Sequence, residues 1–347
     1  MSSKDNGASL RYIDLFCGIG GFRIAATQVF EKYNIPAKCV FSSDIDPYAR
    51  EAYKANFGEY PSGDITSIDE NNVPAHDILF AGFPCQPFSI IGDGKGFEDT
   101  RGTLFFDIAR ILSAKKPRAF VLENVKRLVG HNQGETIRKI LSALNDLGYT
   151  VYYRVLNALD YGLPQKRERV FFVGFHEPMI YHWPLKLKKY KPLSEVLERN
   201  VDKKYYASEK IRQKRLATHT PDVIPSIWHE NKAGHISSYP YSCALRAEAS
   251  YNYLLVNGER RLTPREMMRL QGFPDTFRVV VSESQTRKQM GNAVPVNLVY
   301  AVFETFLPVI LHELTNADLQ PQRPYRLALA RILKEFPHVQ YAAPAKS

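Results

Sequence analysis

The chain has 347 residues, 44% hydrophobic and 24% charged, which is enough for a full core and ordinary for a folded protein. A net charge of +10 favours a polyanionic partner, nucleic acid before an acidic membrane surface. Four cysteines, Cys17, Cys39, Cys85 and Cys243, stand in no CxxC spacing, so a disulfide scaffold and a thiolate zinc site are excluded; free thiols and no metal are expected.

The N-terminal MSSKDNGASLR has no apolar core of a signal peptide. The apolar YAVFETFLPVIL is broken by Glu304 and reads as too short to span a bilayer. A cytoplasmic protein without a membrane segment is expected.

From residue 11 to 175 apolar runs alternate with amphipathic stretches. RYIDLF reads as a strand running into a glycine turn, and FRIAATQVFEKY as the helix after it. AKCVFSSD and DPYAREAYKANF repeat the pattern, and Asp64 in GDIT reads as the close of a third strand. HDILFAG, PRAFVLEN, YTVYYRVLNA and RERVFFVGF supply further strands, with TLFFDIARILSA and ETIRKILSALNDL as helices between them. Such alternation predicts an α/β fold, a mostly parallel sheet covered on both faces.

The texture changes after Phe175. Residues 186–215 carry eleven Lys or Arg against four Asp or Glu, and both tryptophans and several tyrosine pairs fall between 176 and 260. Basic and aromatic residues with weak periodicity predict a smaller, loop-rich unit suited to nucleic acid. Order returns with RRLTPREMMRLQGF, where Thr263 is placed to cap a helix that starts at Pro264. GNAVPVNLVYAVFETFLPVILHEL then reads as an apolar helix that packs back on the first unit. The expected division is 1–188 with 286–347 as one discontinuous unit and 189–285 as the small one. No role is assigned to the polar residues beyond about 315.

The glycine turn DLFCGIGGFR lets backbone N–H groups approach a ligand at a helix N-terminus. The dinucleotide pattern GxGxxG would need glycine where Arg23 stands, which weakens a pyrophosphate reading. Asp44 or Asp46 in SSDIDP is placed for ribose hydroxyls. Glycine turn, strand-end acid and Asp64 together suit an adenosine with an amino-acid tail, and S-adenosylmethionine is such a molecule.

A methyl donor beside a thiol suggests chemistry at C5 of cytosine. C5 is a poor nucleophile until a soft nucleophile adds at C6, and sulfur both adds and leaves well. An acid at N3 and N4 stabilises charge developing in the ring. Cys85, in GFPCQPFS, follows the HDILFAG strand, Glu123 ends the next one, and Arg167 and Arg169 in QKRER share one face at strand spacing. Ends of neighbouring parallel strands lie on one sheet edge, where sites of such sheets form.

In order, DLFCGIGGF, GDIT, GFPCQPFSIIGDGKGFEDTRGTLFFDIARI, ENV, LNALDYGLPQKRERVFFVGF, RRLTPREMMRLQGFP and QMGNAVPVN resemble the motifs of bacterial DNA (cytosine-5)-methyltransferases of the restriction–modification kind, from about Arg11 to beyond residue 305. The resemblance implies a Rossmann-like S-adenosylmethionine-dependent methyltransferase sheet with a smaller DNA-recognition domain. It implies Cys85 as nucleophile, Glu123 as the acid at N3, Arg167 as the arginine holding the target base and Arg169 in support. Phe16, Gly18, Gly20, Asp44, Ile45, Asp64, Ile65, Leu104 and Asn292 would bind the cofactor, with Asp44 standing where relatives often have Glu. The glycine-rich loop from Ser89 to Arg101 resembles one that closes over DNA, so Gln86, Ser89 and Arg101 are expected against it. In SYPYSCALRAEASYNY, Arg246 is a candidate for a guanine edge or a phosphate.

The implied substrate is double-stranded DNA carrying a short specific site, with the target base flipped out. The implied enzyme is monomeric and accompanied by an endonuclease of the same site. A tRNA-methylating branch of the family carries a Cys-Phe-Thr signature that is missing from this sequence. A DNA-binding regulator without catalysis is opposed by the intact Cys85, Glu123 and Arg167. An amino-group methyltransferase would carry DPPY where FPCQP stands, and no histidine is tied to Cys85 as in a cysteine hydrolase.

Overall fold

A computed structural model describes residues 9–84, 104–316 and 323–336. Strand β1 (Leu10–Leu15) is buried at all but one position and runs into helix α1 (Gly21–Tyr33). β2 (Ala37–Ser43) leads to α2 (Pro47–Phe57), where Asp46 accepts hydrogen bonds from the N–H groups of Tyr48 and Ala49 and Pro47 opens the first turn. β3 (Ile78–Gly82), α3 (Leu104–Lys115), β4 (Ala119–Val125), the short α4 (Arg127–Gly130) and α5 (Glu135–Asp146) follow. β5 (Thr150–Asn157), the two-residue β6 (Gln165–Lys166) and β7 (Glu168–Phe175) complete this half.

The main sheet has the order β2-β1-β3-β4-β7-β5. β1 pairs in parallel with β2 and β3, and β3 with β4, whereas β7 runs antiparallel to both β4 and β5. Five strands therefore point one way and only β7 is reversed, as the expected mostly parallel sheet requires. The reversal brings the start of β7 beside the C-terminal end of β4, with Arg169 opposite Val125.

GDIT departs from the expectation. Ser62 forms only an isolated bridge to Ser43, and Asp64 caps a 3-10 turn over Ile65–Ser67 by accepting from the Thr66 N–H. Pro61 and Gly63 flank a segment with no apolar run, so it turns instead of extending.

Two apolar clusters cover the sheet. α3 and α5 bury Phe105, Ile108, Leu112, Ile140 and Leu144 on one face, while α1 and α10 (Val296–Asn316) pack on the other through Val29, Phe30, Phe303 and Phe306. α10 thus returns from the far end of the chain to the first half, as the pattern predicts. The stretch Glu283–His312 is long and apolar enough for a bilayer by length and composition, longer than the sequence pattern suggests, but 78% of its most apolar 18-residue window is buried inside the protein. The chain beyond 315 contains a further helix, α11 (Arg323–Glu335), packed on α10. Lys32 ties three helices together, bonding Glu304 at 2.7 Å and Glu335 at 2.6 Å.

Between these halves lie the short helices α6 (Leu193–Val196) and α7 (Glu209–Thr218) and a three-stranded antiparallel sheet, β11 (Leu254–Val256), β8 (Ile227–Glu230) and β9 (Ile236–Tyr239) in spatial order. Trp228 is fully buried there, and the buried Arg215 bonds Glu230 at 2.8 Å. β10 (Ser242–Cys243) leaves this sheet to pair in parallel with β6. α8 (Pro264–Leu270) opens on a complete capping box, Thr263 with Glu266, and α9 (Glu283–Asn292) follows.

Candidate active site

The C-terminal ends of β1, β2, β3 and β4 open onto a cavity of about 720 Å³. Phe16 and Gly18 turn the chain out of β1 with φ of 53° and 52°. A side chain at Gly18 would meet no atom within 4 Å, so this glycine faces open space. Its N–H donates to Asp44 Oδ2 at 2.7 Å, and Asp44 Oδ1 accepts from the Asp46 N–H at 2.8 Å. Burial pushes the Asp44 carboxyl up, and those two N–H groups hold it partly down.

Gly20 behaves differently. At φ 89° its Cβ would stand 2.3 Å from the Phe57 ring, and it does not line the cavity. Its positive φ lets α1 start against α2. The other eight candidates, Phe16, Gly18, Asp44, Ile45, Asp64, Ile65, Leu104 and Asn292, all line this one cavity.

α9 supplies two residues that sequence reasoning missed. Lys288 Nζ bonds Asp46 at 2.8 Å, and Gln289 Nε2 donates to the Tyr48 carbonyl at 3.0 Å. They clasp the return segment to the lip formed by 46–48. QMGNAVPVN signalled the segment; nothing in spacing signalled the pairing across 242 residues.

At the other end of the cavity stand Glu123 and Arg169, with side chains only 10% and 12% exposed. Sheet register sets Glu123 opposite Gly82. Arg169 Nε lies 2.9 Å from Glu123 Oε1. Burial raises the Glu123 pKa, while first Arg169 and then Arg167 oppose that shift. Burial also lowers the Arg169 pKa, with Glu123 opposing. Asn124, another residue not singled out in advance, donates from Nδ2 to the Phe83 carbonyl at 2.9 Å. It thereby fixes the chain two residues before Cys85, and Pro84 lines the cavity. Cys85, Gln86, Ser89 and Arg101 lie outside the described residues.

Arg167 is not where a base-holding arginine is expected. Its side chain is 1% exposed, does not line the cavity, and donates to three carbonyls: Leu245 at 2.8 Å, Gly291 at 2.9 Å and Ala293 at 2.8 Å. Strand spacing suggested one shared face, but Arg167 falls between β6 and β7, and it is Arg169 that reaches the site. Arg246 is exposed and does not line the cavity, although its backbone abuts Gly291, which does; its guanidinium is 4.9 Å from the Tyr253 ring centroid.

A glycine turn after the first strand, acids at the ends of the next segments and a buried carboxylate–guanidinium pair at the far end of one cavity fit a methyltransferase that uses S-adenosylmethionine. The comparisons narrow the class. The family model for C-5 cytosine-specific DNA methylases matches residues 10–307, and the chain belongs to that family. It is 58% identical over 292 residues to the type II methyltransferase M.NgoBI of Neisseria gonorrhoeae, covering 83% of this chain and 90% of that protein. It is 56% identical to M.HaeII of Haemophilus aegyptius, over 84% of this chain and 90% of the other. Among solved structures, the S. pombe Dnmt2 methyltransferase aligns with a TM-score of 0.65 at 23% identity, covering 86% of this chain and 98% of that one, a likeness of fold. The chain is a DNA cytosine-5-methyltransferase of the restriction–modification type, and its family takes the methyl group from S-adenosylmethionine.

Proposed function

We propose that this enzyme methylates C5 of a cytosine extruded from a short specific site in duplex DNA, through a transient bond between the Cys85 sulfur and C6. The observation that carries this reading is the buried Glu123–Arg169 pair, set in the same cavity as the glycine turn and next to the chain leading to Cys85. The cavity residues suit the cofactor: an open glycine turn at Gly18, carboxylates at Asp44 and Asp64, and apolar Phe16, Ile65 and Leu104 where an adenine ring needs walls. S-adenosylmethionine supplies the electrophilic methyl group when bound there.

The remaining steps fall to the chain. The Cys85 thiolate adds to C6 as Glu123, whose pKa burial raises, passes a proton to N3 and the ring electrons shift to C5. Arg169 orients the Glu123 carboxyl. After C5 has been methylated it loses its proton to solvent, the C6–S bond breaks to return the thiolate, and N3 returns its proton to Glu123. Asn124 holds the backbone ahead of Cys85 within reach. Arg167 is assigned a positioning role, joining β6–β7 to Leu245 and to 291–293.

Residues 189–285 are assigned to DNA recognition, and 1–188 with 286–347 to catalysis. The proposed enzyme is monomeric, works on the nucleoid in the cytoplasm, and protects sites cut by a partner endonuclease. Labelled S-adenosylmethionine with duplex DNA tests the reading. Label at cytosine C5, and a denaturation-resistant adduct with 5-fluorocytosine duplex that Cys85→Ser abolishes, are expected. No transfer by folded protein that binds S-adenosylmethionine would overturn it.

A further inference from the structure

A second, much smaller cavity, of about 90 Å³, shares no lining residue with the first and lies between β11, the start of α8 and α9. Its floor is apolar, with Leu254, Leu262 and Met267. Its rim carries three arginines from three separate segments: Arg246, Arg261 and Arg287. The exposed ring of Tyr251 stands among them, with the Arg287 guanidinium 4.1 Å and the Arg261 guanidinium 5.8 Å from its centroid. Arg246 lies 4.9 Å from the Tyr253 centroid. Stacking on aromatic faces fixes the plane of a guanidinium and leaves its N–H edge available.

The charge is not balanced locally. Glu283 is the carboxylate that lines this cavity, and its Oε1 already accepts from Lys204 Nζ at 2.5 Å and from the Tyr205 hydroxyl at 2.6 Å. Among the described residues none of the three arginines is ion-paired. Arg287 donates from one nitrogen to the carbonyls of Ala249 and Ser250, and Arg261 from one to that of Lys204. Among the described residues the remaining guanidinium nitrogens of both make no hydrogen bond to protein.

A base edge presents donors and acceptors together, whereas a phosphate presents acceptors alone. We propose that Arg261, Arg287 and Arg246 form a phosphate subsite, which grips the DNA backbone away from the reacting nucleotide and fixes how the duplex lies without reading its sequence. The proposal rests on the reading of this chain as acting on duplex DNA.

The test uses the full chain, Arg261→Gln/Arg287→Gln and Arg261→Lys/Arg287→Lys. Two probes serve: a plasmid fragment that the wild type methylates, and a dA·dT duplex that contains no cytosine. Binding is measured from 0.05 to 0.2 M salt. The glutamine variant should lose about tenfold in affinity for both probes at the low-salt end, and its salt slope should fall by about 2. The lysine variant should keep most of the slope. S-adenosylmethionine affinity, unchanged in both, reports that the fold is intact. An unchanged salt slope, or a loss confined to the methylated fragment, overturns the phosphate subsite. A wild type that methylates no plasmid fragment and binds no duplex would instead overturn the parent reading.

Discussion

Replacing Arg169 by Met removes the guanidinium beside Glu123 while keeping most of the side-chain volume. At 2.9 Å and an effective dielectric near 20 the pair attracts by about 6 kcal/mol before desolvation is counted. Glu123 cannot stay ionised in a site 10% exposed without that partner, so it takes up a proton. Holding a proton on a carboxyl above its ordinary range costs about 1.4 kcal/mol per pH unit. The sign follows from the raised folded-state pKa: the stability contribution is present below the unfolded carboxylate pKa and lost as pH rises through the folded one. The wild type already carries part of this shift, so Arg169→Met should be about 2–4 kcal/mol worse relative to wild type at pH 8 than at pH 5. Urea unfolding at both pH values measures the difference, and Glu123→Gln/Arg169→Met should abolish it. Parallel curves for wild type and Arg169→Met would refute the reasoning, as would a double variant that keeps the pH dependence.

Asp14 sits fully buried in β1 with neither carboxyl oxygen hydrogen-bonded among the described residues, and burial pushes its pKa up to about 8, against Arg23. Its stabilising share is therefore present below about pH 4 and lost as pH rises towards 8, at up to about 1.4 kcal/mol per unit. Asp14→Asn should flatten that fall in a pH series of urea midpoints; a curve parallel to wild type would sink the assignment. Gly291→Ala should destabilise the protein by about 1–3 kcal/mol, because the new Cβ would stand 2.1 Å from Ala247 N and 2.5 Å from its Cα, and backbone yields little. An unchanged unfolding midpoint would show that the two segments separate freely.

Much of the site is legible because it is built at strand ends. The strands are continuous apolar runs, so where HDILFAG and PRAFVLEN stop, Pro84 and Glu123 must emerge on one edge. The capping box at Thr263 is equally local, since a hydroxyl and a glutamate three residues on need no tertiary context. What escapes the sequence depends on partners far along the chain. A strand buried on both faces looks the same whichever way it runs, so the reversal of β7 carries no local mark. Arg167 and Arg169 are equivalent by spacing and are separated only by what each meets: three carbonyls for one, Glu123 for the other. The clasp of Lys288 on Asp46 is a contact between remote segments, and α11 hides in a tail whose charge resembles a solvated end.

The three carbonyls on Arg167 make one side chain a junction of three stretches of chain. It fastens the bend between β6 and β7 to residue 245, between β10 and β11, and to 291 and 293, at the C-terminal end of α9. The stretch from 176 to 242 is tied in elsewhere as well: the Met179 and Pro184 carbonyls accept from Tyr152 and Tyr161, and β8 pairs with β11. A replacement of residues within that stretch therefore has to keep the strand that meets β11 as well as leave the carbonyl at 245 in place.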